Sequence, residues 1–176
     1  MSTTPIQQVP AGTYKVDPVH STFGFTVTHN GVSKFHGQFE QVDAQLEDGV
    51  LVGTAQVESV KTAIPDLKSH LLSPEFFNAS ETPTIAFRSS DIGIAEDGSV
   101  EVEGELTIRG VAKPVTAKGS FASGVGISGS EVVGFDLETT VDRREYGLDW
   151  QAQLPRGGDV LAWDVTLDVH LELVKA

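Results

Sequence analysis

Ser99-Val100-Glu101-Val102-Glu103-Gly104-Glu105-Leu106-Thr107-Ile108-Arg109 decides the fold. Val100, Val102, Leu106 and Ile108 occupy alternate positions, and Glu101, Glu103, Glu105, Thr107 and Arg109 fill the places between. Successive side chains of a strand point to opposite faces, so this is a strand with an apolar face inward and an acidic face in water. The same period recurs on both sides of it. Leu161, Trp163, Val165, Leu167, Val169, Leu171 and Leu173 form one long alternation at the C-terminal end. Phe23, Phe25 and Val27 alternate with Thr22, Gly24, Thr26 and Thr28, and Asn30-Gly31 follows at once, a pair that tolerates the positive φ of a hairpin turn. Phe35 and Phe39 share a face. Val42, Ala44 and Leu46 have the opposite parity, which predicts a bulge near Glu40-Gln41. Asp48-Gly49 and Asp97-Gly98 mark further turns. Ala55 and Val57, Ile85 and Phe87, Val115, Ala117 and Phe121, then Phe135, Leu137, Thr139 and Val141 give the remaining apolar faces. About eight strands separated by turn signals predict an all-β fold, an antiparallel sandwich or barrel.

One segment departs from period two. Ile64, Leu67 and Leu71 recur at helical spacing between Pro65 and Pro74, which predicts one short helical insertion. Leu71-Leu72 and Phe76-Phe77 make it the most apolar stretch outside the strands. It is expected to close one end of the barrel, as a lid beside the entrance or as a crossover packed on the barrel foot.

Composition narrows the function. The chain has 176 residues, 12 Lys and Arg against 25 Asp and Glu, and no Cys, for a formal net charge of −13. That length suits one domain, read as a loose arm over residues 1–11 and a single barrel over 12–176. Without cysteine there is no disulfide framework, thiolate metal site or Cys nucleophile. The charge argues against nucleic acid and anionic membrane surfaces as partners. No window approaches the ~18 apolar residues of a membrane span, so stable membrane insertion is not expected. The N-terminus lacks a basic and apolar leader, which reads as cytoplasmic.

An eight-stranded barrel encloses either packed side chains or one small ligand. The inward parity places Phe23, Phe25, Val27, Phe35, Phe39, Val57, Ile85, Phe87, Leu106, Ile108, Phe135, Leu137, Thr139, Leu161 and Trp163 around such an interior. The insertion adds Leu71, Phe76 and Phe77, and Tyr146 and Trp150 are expected at the mouth. Gly37, Gly104 and Gly119 on inward faces leave volume unfilled or mark bends. Arg88 and Arg109, with Lys34, Lys113 and Lys118, fall on the outward parity, so the interior is expected to hold almost no cation. Thr139 is the expected orienting group for a guest's polar end.

No catalytic or metal constellation stands out. The five histidines offer no metal-ligand spacing, and His29 reads as a strand-end residue. Asp17, His20 and Ser21 supply the residue types of a hydrolase triad. They lie within one short run, however, and no G-x-S-x-G elbow is present. Asp142-Arg143-Arg144-Glu145 reads as a surface ion-pair loop, and Gly124–Gly129 as a plain loop.

Several stretches, in order, resemble the YceI-like family. They are Tyr14-Lys15-Val16-Asp17-Pro18-Val19-His20-Ser21; Val32-Ser33-Lys34-Phe35-His36-Gly37-Gln38-Phe39; His70-Leu71 with Ser73-Pro74-Glu75-Phe76-Phe77; Pro83-Thr84-Ile85-Ala86-Phe87; Gly104 to Val111 with Lys113-Pro114-Val115; and Asp142-Arg143 with Tyr146-Gly147. The chain departs from the family in Leu67, at a place often polar, and in lacking the leader of relatives that are often periplasmic or secreted. The resemblance implies an eight-stranded antiparallel lipocalin-like β-barrel that holds an isoprenoid-type lipid (a polyprenyl chain, an isoprenoid quinone or a precursor) for binding, transport or storage. It implies no cofactor and no catalytic residue, and it allows a homodimer. Two other readings stay open: an enzyme acting on a lipid in the same cavity, and a stress-related interaction module with a filled barrel.

Overall fold

The computed structural model describes residues 8–176. Eleven strands and one helix follow in the order β1 (Thr13–Val16), β2 (Thr22–His29), β3 (Ser33–Phe39), β4 (Val42–Glu47), β5 (Val50–Gln56), β6 (Val60–Lys61), α1 (Pro65–Leu72), β7 (Thr84–Ile94), β8 (Ser99–Ile108), β9 (Val111–Val125), β10 (Glu131–Asp142) and β11 (Leu161–Lys175). All named pairings are antiparallel, and β1 closes the ring by pairing with both β4 and β11. β1 and β2 are halves of one wall strand bent at a 3₁₀ turn, Pro18–His20. β3 and β4 are halves of another, bent at Glu40–Gln41 where the parity changes. Counted so, with the two-residue β6 set aside, the walls number eight, the antiparallel closed barrel that the resemblance implies, with the single helix that the spacing predicts.

Turn chemistry sets the register. Asn30 and Gly31 (φ 55° and 71°) and Asp48 and Gly49 (φ 48° and 83°) take the left-handed pair of a two-residue hairpin. Arg109-Gly110 does the same (φ 54° and 76°). Arg109 therefore does not end a strand pointing outward as its parity predicts. It sits on a turn, half-buried, and its guanidinium donates to the Gly147 carbonyl (2.6 Å) and the Pro74 carbonyl (2.7 Å).

The interior divides into two levels. At one end Tyr14, Leu46, Ile94, Val102, Phe121, Val133, Phe135 and Leu173 fill the barrel completely. At the other, a second cluster lines the wall around Phe25, Phe39, Leu106, Ile108, Val141 and Tyr146. Phe23 and Phe87 pack against both, and form the floor between them. Val9 packs on the filled end, which ties residues before β1 to the barrel; the rest of the predicted arm, 1–7, lies outside the described residues.

Two interruptions occur at the unfilled end. β3 has only β6 on its far edge, at Gln38 and Phe39, and the stretch from α1 to Phe77 packs there. β9 and β10 are paired from Glu131↔Val125 to Glu138↔Lys118 and no further, although both continue.

Outside the barrel, Asp17, His20 and Ser21 pin the β1–β2 corner. Asp17 caps the turn through Val19 N (2.9 Å) and pairs with His20 Nδ1 (2.8 Å), while Ser21 Oγ accepts from Glu172 N (3.1 Å). The hydrogen bond to Asp17 raises His20 above the ordinary 6.5, and the bond to His20 holds Asp17 below its ordinary 3.8. The His20 contribution is present below 6.5 and lost as pH rises through its raised value. The Asp17 contribution is present above 3.8 and lost as pH falls through its lowered value. The expected result is a small decline in melting temperature as pH rises through the upper part of the interval from about pH 5 to 8. His20→Gln flattens it, and an unchanged slope in that variant would refute the assignment.

Candidate functional site

The unfilled end is a cavity of ≈ 560 Å³, within the roughly 300–1,000 Å³ of small-molecule sites. One strand displays its boundary. Along the inward face of β11, Leu173 and Leu171 are buried, whereas Val169, Leu167 and Val165 are only partly covered because they face the open space. Large rings stay out of that space where glycine lets them lie flat. A Cβ on Gly37 would collide with the Phe25 ring, and one on Gly104 with the Phe87 ring. Both glycines are places where a side chain covers bare backbone.

Aromatic contacts hold the helical segment over the cavity. Phe77 meets Phe39 (ring centroids 5.8 Å) and Phe25 (6.3 Å), which in turn meets Phe35 (6.1 Å). His70 of α1 stacks edge-on against Phe76 (4.8 Å) and Trp150 (5.4 Å), and its Nε2 bonds Glu75 (2.6 Å). The helical segment therefore belongs to the cavity wall, through Leu67, Leu71, Phe76 and Phe77, and not to the barrel foot. His29, Ser33 and Lys34 complete the wall at the β2–β3 hairpin, where all three are exposed.

Most of the residues that parity pointed inward lie on this wall: Phe23, Phe25, Val27, Phe35, Phe39, Leu71, Phe76, Phe77, Ile85, Phe87, Leu106, Ile108, Leu137, Thr139, Tyr146, Trp150 and Leu161. Three do not. Phe135 is inward but belongs to the filled end, packed edge-on against Phe121 (5.1 Å). Val57 is buried in a 3₁₀ turn after β5, away from the cavity. Trp163 lies within an irregularity in the β2–β11 pairing, between Leu161 and Val165, and is not on the cavity wall. Its ring carries the Arg143 guanidinium at 4.2 Å and that of Arg144 at 4.7 Å.

The expectation of an interior without cations is corrected by Arg143. It is 3% exposed, lies on the cavity wall, and is no part of a surface ion-pair loop. Nε donates to the Ala162 carbonyl (2.8 Å), Nη1 to Leu148 (2.6 Å) and Trp150 (2.8 Å), and Nη2 to Leu161 (3.1 Å). Burial pulls it below the ordinary guanidinium pKa. Arg144, beside it, does fit the predicted loop, bound to Asp142 at 2.6 Å. Thr139 lies on the wall with its proton already engaged. Its hydroxyl donates to the Thr116 carbonyl (2.9 Å), across the part of β9 and β10 that lacks a ladder. Tyr146, on the 3₁₀ turn Arg143–Tyr146, has a buried hydroxyl with no partner. Of the titratable groups on this wall, His70 pairs with Glu75 and Arg143 donates to backbone carbonyls.

Comparison with known proteins agrees with this architecture. A UPF0312 protein of Staphylococcus epidermidis is 30% identical over 169 residues, covering 90% of this chain and 95% of that one. A Staphylococcus aureus relative is 31% identical over the same shares. Among solved structures, Burkholderia cenocepacia BcnA superposes with a TM-score of 0.74 at 23% identity, covering 89% of this chain and 98% of BcnA. A polyisoprenoid-binding domain from Saccharophagus degradans gives 0.65 at 12% identity, covering 95% and 100%. The model of the YceI-like domain matches residues 14–173. With barrel, helical insertion and sequence in agreement, the chain belongs to the YceI-like domain family.

Proposed function

We propose that this protein binds an isoprenoid-type lipid in the barrel cavity, as a carrier or store and without turning it over. The observation that carries the reading is the hollow half of the barrel: a wall of phenylalanine, leucine and valine around ≈ 560 Å³, beside a half that is packed solid. A filled interaction module needs no such space. Burial supplies the affinity. About ten CH₂ groups taken out of water give roughly 8 kcal/mol before the costs of association. The solved relative described as a polyisoprenoid-binding domain supports the same guest class.

The test is native mass spectrometry of the purified protein, with and without an added prenyl quinone. The expected result is a complex carrying one lipid mass per chain, and the same spectrum reports the number of subunits. Failure to carry a lipid as purified, together with failure to take up the quinone, overturns the reading.

A further inference from the structure

We propose that Tyr146 is the polar anchor of the cavity. Its hydroxyl donates to a neutral oxygen on the guest, so the guest class is an oxygen-bearing isoprenoid, such as one with a ring carbonyl, and not a plain hydrocarbon chain. The inference rests on the lipid-binding reading above and narrows it.

Among the described residues, two buried side-chain polar atoms lack a partner, Arg109 Nε and Tyr146 Oη, and of these two residues Tyr146 alone belongs to the cavity wall. The ring is 1% exposed. A buried donor left unmade is costly, and such groups call for a physical reason. Of the less exposed polar groups on the wall, Thr139 donates to a carbonyl, His70 bonds Glu75 and Arg143 uses four of its five N–H groups, while His29, Ser33, Lys34 and Glu138 are exposed. Burial first, and the charge of Glu145 second, push the Tyr146 phenol up to about 12. It keeps its proton and serves as a donor.

The donors present select the acceptor. Arg143 lies on the same turn and on the same wall; Asp142, Asp149 and Asp159 act on it electrostatically, and Glu145 acts on Tyr146. The phenol and the spare guanidinium N–H are donors, which suit an acceptor oxygen and not an ammonium. A phosphate would need several donors to offset its desolvation, and one phenol with one spare guanidinium N–H is too few. A carbonyl needs one. With the hydroxyl buried, the guest's oxygen reaches it as the ring edge turns toward the lumen.

Tyr146→Phe separates this role from packing. The probes are a short-chain prenyl benzoquinone, an all-hydrocarbon prenyl chain of matched length, and the matching prenyl phosphate. The expected result is a loss of about tenfold in quinone affinity with the hydrocarbon unchanged. The infrared carbonyl band of the bound quinone is expected to move to higher frequency in the variant. The ligand-free variant is expected to melt no lower than wild type, because the orphaned hydroxyl is gone. Equal losses for quinone and hydrocarbon, or no loss for either, overturn the anchor while leaving lipid binding intact. A phosphate bound more tightly than the quinone, and weakened more by the substitution, overturns the neutral acceptor. Wild-type protein that binds none of the three overturns the lipid reading itself, and the anchor with it.

Discussion

Arg143→Met is expected to lower the melting temperature by roughly 10–15 °C, corresponding to about 3–5 kcal/mol at a few degrees per kcal/mol for a chain of this size. The four carbonyls that Arg143 binds belong to Leu148, Trp150, Leu161 and Ala162, so one side chain ties together both ends of the long connection from β10 to β11. Methionine fills similar volume but removes the Arg143 donors from all four carbonyls, of which Leu161 alone keeps a second side-chain donor, Gln151 Nε2 at 2.6 Å. It also removes one of the two guanidinium groups from the face of Trp163. Arg143→Lys is expected to recover less than half, because a single ammonium cannot reproduce a planar fork that reaches four acceptors. Thermal melts of the three proteins decide it. A methionine variant within about 1 kcal/mol of wild type would show that the loop holds itself.

Gly37→Val carries the second large effect, and it falls on capacity more than on stability. Phe25 and Gly37 are direct cross-strand partners, and the Phe25 ring lies over the bare backbone. Any Cβ there overlaps the ring, which has to swing into the lumen. Overpacking of this kind costs about 1–3 kcal/mol. The displaced ring takes space from the guest, and affinity for a prenyl quinone is expected to fall at least ~30-fold, about 2 kcal/mol. The double variant Phe25→Ala with Gly37→Val is expected to recover much of the binding, since the clash and the intruding ring vanish together. Binding isotherms for the four members of this cycle test the point. A single variant that binds as wild type does, at unchanged stability, means that the ring finds room elsewhere.

The barrel was legible because its signals are local. Val100 to Ile108 show the period directly, and Asn30-Gly31 and Asp48-Gly49 announce turns by the conformations they tolerate. Most of the residues that parity pointed inward do line the cavity. What parity lacks is the coordinate along the barrel axis. Phe135 and Leu137 share a face and belong to the same packed cluster, yet only Leu137 also lines the hollow, because the difference is set by strands far away in sequence. Parity also fails where the ladder is irregular, as between Leu161 and Val165, and Trp163 lies in that stretch. Arg109 and Arg143 were misread for another reason. Charge predicts exposure, but loops that turn their carbonyls inward create a place for a guanidinium, and nothing near either residue in sequence announces it. The uncapped position of Tyr146 is likewise invisible before the neighbouring donors and acceptors are placed.

The floor formed by Phe23 and Phe87 has a consequence for selectivity. A tube closed at a fixed depth measures its contents. For the guest proposed above, a chain that ends at the floor would be accommodated whole, and each further isoprene unit would remain in water at the rim, adding size without adding burial. Two aromatic side chains would then act as the zero mark of a ruler. Relatives that differ in bulk at these two places would take guests of different length on an unchanged scaffold.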